Sequence, residues 1–276
     1  MEASRIVRPP AVAGMFYPAD QSKLHEEVNA LLSQAGKKRL PGKVRGVIAP
    51  HAGYMYSGLT AAHAYATLKG ERFETVVVVS PSHREYFPGV SVYPGDAYRT
   101  PLGTIEIDAT VRDELIAAGD VVVASEQGHR AEHALEVQLP FLQETLAEFK
   151  LVPLVMGDQR TELCFGLGEI LGTVLRGRNC LLVASTDLSH FYSFDVAESL
   201  DRIMIRDVQA FDYEHLMHDL DTRRTEACGG GPTVAVLLAL RRLGVNNIEV
   251  LHYSTSGDVT GDLTNVVGYL SAVAYS

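Results

Sequence analysis

The sequence predicts an α/β protein, a single domain with a central mixed, largely parallel sheet flanked by helices. Three observations carry this. Short apolar runs rich in β-branched residues recur at Val47-Ile48-Ala49, Val76-Val77-Val78-Val79 and Leu181-Leu182-Val183-Ala184, as in strands buried on both faces. Segments of helical spacing alternate with them, the order that builds parallel βαβ units. The 276 residues, 46% hydrophobic and 21% charged, suffice for one large domain, and no internal linker, repeat or low-complexity segment divides residues 1–276.

Taken in order, residues 1–19 carry Pro9-Pro10 and Gly14-Met15-Phe16-Tyr17-Pro18, which continue neither a helix nor a central strand, so they form an extended arm packed on the body. Asp20 is an N-cap for a helix whose Leu24, Val28, Leu31 and Leu32 share one face through Ala35. Pro41-Gly42 turns the chain into the strand that ends at His51. An alanine-rich helix from Ser57 to Leu68, stopped by Gly70, and a strand from Thr75 to Ser80 complete a βαβ unit whose exit loop carries His83. Between Gly89 and Ile107, short alternating pieces broken by Pro94-Gly95 and Pro101 predict an antiparallel excursion.

Asp108 then caps a short helix to Ala118, followed by a brief strand at Val121 to Val123. Glu132 to Phe149 has the spacing of a long amphipathic helix kinked at Pro140, with Glu132 and Glu136 sharing a face in a structural or supporting role. A strand at Leu151 to Met156, a helix at Thr161 to Leu175 and a strand at Cys180 to Ser185 continue the alternation. Helix follows over Val196 to Met217, in one or two pieces. Cys228-Gly229-Gly230-Gly231-Pro232 opens a helix to Arg242, stopped by Gly244, and strands at Ile248 to Ser254 and Val266 to Tyr275 close the chain.

Composition excludes some functions. A formal charge of −10, with Lys37-Lys38-Arg39 as the one tight basic cluster, disfavours nonspecific nucleic-acid binding. No apolar stretch approaches the ~20 residues that cross a bilayer, and the N-terminus lacks a signal-peptide pattern, so a cytoplasmic protein without a membrane partner is expected. Cys164, Cys180 and Cys228 are odd in number and far apart, which suits a reducing compartment; the first two sit in apolar contexts that suit core packing. No glycine-rich dinucleotide fingerprint or phosphate loop is present.

The chemistry concentrates where strands end. Three apolar runs each deliver a histidine, His51, His83 and His190, to the carboxyl end of the sheet, where loops of open α/β folds converge on ligands. Cys228 precedes a glycine turn at a helix start, a placement expected to lower its thiol pKa and favour the thiolate that ligates metals or attacks electrophiles. The spacing of His215 and His218 permits chelation, but Asp219 and Asp221 beside them suggest a solvated face. His25, His63, His129 and His252 show no partner in the sequence.

Pro50-His51-Ala52-Gly53-Tyr54, Pro81-Ser82-His83, Glu132-His133-Ala134-Leu135-Glu136 with Leu139-Pro140, Ser185-Thr186-Asp187-Leu188-Ser189-His190 and Cys228-Gly229 occur in an order that resembles the Memo family, as does the arm Ala11 to Pro18. The resemblance implies a fold like that of the class III extradiol dioxygenases, non-haem iron enzymes. It implies a metal held by His51, His83 and Cys228, iron(II) first and copper or zinc as alternatives, with Asp187, His190 and His133 lining the same pocket. The ring-cleaving enzymes use a carboxylate where this chain has Cys228, a softer donor. Arg84 stands where animal members have a further histidine, and Phe16 where they have a tryptophan.

Three functions compete. In the first, a metal-dependent oxidoreductase, His190 is a general base oriented by Asp187, and His133 donates a hydrogen bond to a substrate oxygen. The second is a binding or scaffold protein that uses the pocket for a small molecule, peptide or partner. The third is a metal-free hydrolase with Cys228 as nucleophile and His190 and Asp187 as base and orienter. The resemblance further implies a radical SAM protein as a pathway partner.

Overall fold

A computed structural model describes residues 5–276; Met1 to Ser4, which open the expected arm, lie outside the described residues. In chain order the strands are β1 (Val7–Arg8), β2 (Val44–Ala49), β3 (Thr75–Pro81), β4 (Val90–Val92), β5 (Ala97–Thr100), β6 (Gly103–Glu106), β7 (Val122–Ala124), β8 (Lys150–Met156), β9 (Cys180–Ser185), β10 (His190–Tyr192), β11 (Asn247–Thr255) and β12 (Val266–Tyr275). The helices are α1 (Gln21–Ala35), α2 (Tyr54–Tyr65), α3 (Ala109–Ala117), α4 (Leu139–Thr145), α5 (Thr161–Val174), α6 (Phe194–Ala210), α7 (Tyr213–Asp221), α8 (Gly230–Arg242) and α9 (Gly257–Thr260).

The main sheet runs β10-β12-β2-β9-β3-β8-β4-β7, with β11 also paired to β12. Its centre, β2-β9-β3-β8, is parallel throughout, while β12 and β4 flank it antiparallel. The side-chain period of two splits each central strand between two cores. Val76, Val78, Leu181 and Val183 pack toward α1, α2 and α4, whereas Val77, Val79, Leu182 and Ala184 pack toward α5, α6 and α8. Both faces being covered explains why these strands read as unbroken apolar runs.

Local chemistry sets most boundaries. Asp20 caps α1 by accepting the Lys23 amide at 3.0 Å, and Asp108 caps α3 through the Val111 amide. Helix α2 begins at Tyr54, three residues before the expected Ser57, because Gly53 serves as its N-cap and the Tyr54 amide donates to the Phe16 carbonyl of the arm at 2.8 Å. The 89–107 excursion is antiparallel only in part. β5 and β6 form an antiparallel hairpin that joins β1 in a small separate sheet, whereas β4 enters the main sheet antiparallel to β8 and parallel to β7.

The long helix expected over 132–149 does not form. Only a 3-10 turn at Glu136–Gln138 and the short α4 are helical, and Pro140 sits in the first turn of α4, where its missing N–H costs nothing. Upstream, Glu132 folds back so that Oε1 accepts the amides of His133 and Ala134, both at 2.9 Å. This local alternative to helical hydrogen bonding holds the segment open. Glu132 and Glu136 consequently do not share a helical face.

Glu136 instead anchors the arm. Fully buried, it pairs with Arg8 and accepts the Ala11 amide at 2.7 Å, the Val12 amide at 3.0 Å and the Tyr17 hydroxyl at 2.5 Å. Arg8 also donates to the carbonyls of His129 at 2.8 Å and Glu132 at 2.7 Å, so this buried ion pair is fully hydrogen-bonded.

His129, assigned no partner from sequence, lies in the same network. Ser91 Oγ donates to the Gln127 carbonyl at 2.6 Å, so it accepts from His129 Nε2 at 3.1 Å, and Nδ1 accepts from the Tyr98 hydroxyl at 2.5 Å. The neutral imidazole, protonated at Nε2, thus has both ring nitrogens satisfied. Burial, with the Arg8 charge second, pushes its pKa down to about 3. The unfolded chain binds this proton near pH 6.5 and the folded chain does not, so stability from this group is complete above about pH 6.5 and is lost as pH falls toward 3. Urea unfolding at pH 7 and pH 4.5 should show His129→Asn losing roughly 2 kcal/mol less than wild type over that interval. Equal losses would show that His129 carries no such linkage.

Candidate metal centre

Three adjacent parallel strands end side by side in the order β2, β9, β3. Their exits carry His51, the Ser185-Thr186-Asp187 step and His83, and the turn into α8 brings Cys228 against the same step. His51, His83 and Cys228 each offer one donor atom, and these atoms lie within 4.8 Å of one another. They are the three residues that the family resemblance implies as ligands, and the fold brings their donor atoms together.

The central step fixes the geometry. Asp187 Oδ1 accepts the His51 amide at 2.7 Å. Ser185 Oγ donates to the Ala134 carbonyl at 2.7 Å and accepts from Gln138 Nε2 at 2.8 Å. Its one proton thus placed, it accepts from His51 Nδ1 at 2.9 Å. His51 is accordingly protonated at Nδ1, and its Nε2 lone pair faces Cys228 Sγ at 3.0 Å. Burial and the neighbouring imidazoles of His83 and His133 hold its pKa well below the usual histidine value, which keeps the ring neutral.

Glu132 does for His83 what Ser185 does for His51. Its carboxylate accepts the His83 amide at 2.5 Å and His83 Nδ1 at 3.0 Å, leaving Nε2 as the free ring nitrogen. Burial would raise the Glu132 carboxyl, but the close His133 and His83 imidazoles and the Ala134 amide outweigh it and hold the pKa well below the usual range. His133 Nδ1 lies 3.1 Å from Glu132 Oε1, yet its direction is poor and it makes no hydrogen bond. The His133 ring stands 4.7 Å from His83 and 5.5 Å from His51, backed by Phe16 at 4.6 Å.

Cys228 is seated by its turn. Its amide donates to the Asp187 carbonyl at 3.3 Å, the Gly229 amide donates to Thr186 Oγ1 at 3.1 Å, and Gln159 bridges the Cys228 carbonyl at 2.7 Å and the Gly231 amide at 2.8 Å. The thiol expectation is overturned. Burial, with the Asp187 carboxylate second, pushes the pKa well above that of a free cysteine, and this outweighs the nearby helix start. Cys164 and Cys180 are buried, as expected for core packing.

Asp187 is itself raised by burial, opposed by the His51 amide and by the His190, His133 and His83 imidazoles. No hydrogen bond among the described residues joins it to His190, so any coupling between them acts through space. His190 is half-buried on β10, aligned by the pairing to Val267 and by the adjoining Ser189 amide, which donates to the buried Asp201 at 3.0 Å.

The solvated-face reading of the His215 region also changes. Asp219 is fully buried and Asp207 nearly so; His215 Nδ1 lies 2.9 Å from Asp207, while Arg206 and Arg224 occupy the carboxylates. Two guanidiniums on two carboxylates make an ion-pair network unsuited to a cation. Ser185, Gln138, Gln159 and Thr186 escaped the sequence reading; the signal for Ser185 was its place as the last residue of an apolar run ending beside Asp187.

Residues 8–273 match the family described as Memo-like protein. The chain is 38% identical over 273 residues to a MEMO1 family protein of Methanothermobacter thermautotrophicus, covering 96% of this chain and 99% of the relative. It is 35% identical over 272 residues to a MEMO1 family protein of Nitrosopumilus maritimus, covering 96% and 98%. The crystal structure of uncharacterized protein JW3007 from Escherichia coli K12 superposes with a TM-score of 0.56 at 16% identity, over 85% of this chain and 100% of that one, a likeness of fold.

Gly229 shows how tightly the cysteine turn is seated, because a Cβ there would run into the Ser185 carbonyl oxygen and Thr186. Gly229→Ala should cost about 2 kcal/mol or more in urea unfolding and speed alkylation of Cys228. Wild-type stability together with a wild-type alkylation rate would refute this account of the turn.

Proposed function

The chain belongs to the Memo family, and from that premise we propose that it binds one first-row metal through His51, His83 and Cys228 and acts as a metal-dependent oxidoreductase. Iron(II) is the first candidate, with copper and zinc as alternatives. The observation that carries this reading is which ring nitrogens are already committed. His51 Nδ1 is held by Ser185 and His83 Nδ1 by Glu132, so Nε2 is the ring nitrogen that each has left for a ligand. Fixing the second nitrogen of a ligand histidine in this way is how proteins orient metal sites.

The donors fit the ion. Two imidazoles and one sulfur make a mixed set acceptable to iron, copper or zinc and poor for magnesium or calcium. A metal held there would supply Lewis acidity, redox capacity and an open position for a substrate atom. Around that position His190 would take a proton from the bound substrate, Asp187 would balance the resulting charge from within the pocket, and His133 would contact a substrate oxygen. The raised thiol pKa of Cys228 weighs against the metal-free hydrolase, which needs a ready thiolate.

Anaerobic purification without a metal-binding tag, followed by elemental analysis, tests the site. Near-stoichiometric iron, copper or zinc is expected in wild type and should be absent from His51→Ala, His83→Ala and Cys228→Ala. Ser185→Ala, which touches no ligand atom of the metal, should bind it about 10- to 100-fold more weakly. Wild-type protein that holds no metal as purified and takes up none from iron(II), copper(I) or zinc would overturn the assignment and leave a scaffold role.

A further inference from the structure

The floor of the pocket is polar and its rim is not. Four of the segments that send a side chain into or behind the pocket also present a large apolar one to solvent. Met15, 72% exposed, precedes the Phe16 that backs His133; Met55, 67% exposed, and Tyr56 follow His51; Tyr86, 79% exposed, follows His83; Phe191, 73% exposed, follows His190. Exposed apolar groups that recur next in the chain to pocket residues point to a contact surface.

Phe191 is held there against backbone preference. Its φ is +65°, in the left-handed region, and it is the extra residue of a bulge, since the β10 pairing steps from His190↔Val267 to Tyr192↔Val266. Bulges beside active sites re-aim side chains. The two other non-glycine residues with positive φ among those described are Phe211, buried where it closes α6, and Arg223, in the turn after α7. Helix termination accounts for those two. Phe191 is neither buried nor at a helix end, and strain of this kind at an exposed residue points to function. The bulge keeps His190 partly inside, with the Phe191 ring edge-on to it at 5.6 Å.

We propose that Phe191, with Tyr56 and Met15, grips the apolar body of an amphipathic small molecule whose oxygen-donor, anionic head lies among His51, His83, Cys228 and His190. The head assignment rests on the metal reading above; the rim assignment stands on exposure and backbone geometry alone. The oxygens of Glu132 are covered by N–H groups, so the imidazoles are what an entering head meets, with His83 the most open of the ligand side chains at 29% exposure. The substrate class is thus a chelating or carboxylate-headed molecule with a tail long enough to reach the rim.

Calorimetric titration with n-alkyl hydroxamates from two to eight carbons tests this on metal-loaded protein, with n-alkyl carboxylates of the same lengths on chelator-stripped protein. Wild type should bind about two- to fourfold more tightly per added methylene until the tail passes the rim. Phe191→Gly and Tyr56→Ala should flatten that dependence. Phe191→Gly should melt no lower than wild type, because glycine tolerates the left-handed backbone. Metal content, read on the same samples, separates the two readings. A chain-length dependence seen only with carboxylates on metal-free protein keeps the rim and sinks the metal. Affinity independent of chain length in wild type, or a dependence unchanged in Phe191→Gly, overturns the proposal.

Discussion

The structure depends on the last step of β9, where Ser185, Thr186 and Asp187 leave the sheet between the exits of β2 and β3. Each touches a different part of the site: Ser185 fixes the His51 ring, Thr186 and Asp187 seat the Cys228 turn, and the Asp187 carboxylate holds the His51 backbone. A single hydroxyl proton, committed to the Ala134 carbonyl, determines which nitrogen of His51 is free. Because β9 is hydrogen-bonded on both sides along its length, this step cannot shift without the sheet. The donor geometry is therefore inherited from the most rigid element of the fold, as a precise site requires.

A second layer of polar contacts ties the arm to the same site. Glu136 gathers Arg8, Tyr17 and two arm amides, while Arg8 reaches the carbonyls of His129 and Glu132. Glu132 in turn holds His83. The arm thus belongs to the framework of the pocket, and Phe16 completes the wall behind His133. Buried charges of this kind persist only when they are paired and hydrogen-bonded, and the non-helical path of residues 132–135 leaves the Glu132 carbonyl free to accept from Arg8.

The parallel centre of the sheet was legible in sequence because its strands are buried on both faces and read as unbroken β-branched runs. His51 and His83 were legible for the same reason, since the run marks the strand and its end marks the pocket, whereas His190, expected at a strand end, instead opens the edge strand β10. What misled was periodicity around Pro140: the spacing of apolar residues from Glu132 onward fits a helix, but a carboxylate that caps its own following amides competes with the helix and wins. Cys228 misled differently. A helix start favours a thiolate, but the sequence does not display how far the sulfur is withdrawn from water or that it faces Asp187. Ser185 and Gln138 were missed because their roles arise from one proton's direction, set by a carbonyl some fifty residues away in the chain.

These two misreadings bear on each other. With the thiol of Cys228 pushed up and His51 held neutral, these two donors carry no charge of their own. On the proposed reading, a cation stabilises the thiolate that burial disfavours, and His51, held neutral, accepts that cation without first losing a proton. A nucleophilic cysteine would need a protonated histidine beside it, and burial among other imidazoles works against a charge on His51. The same desolvation therefore makes Cys228 a poor nucleophile and favours the proposed metal reading over the metal-free hydrolase.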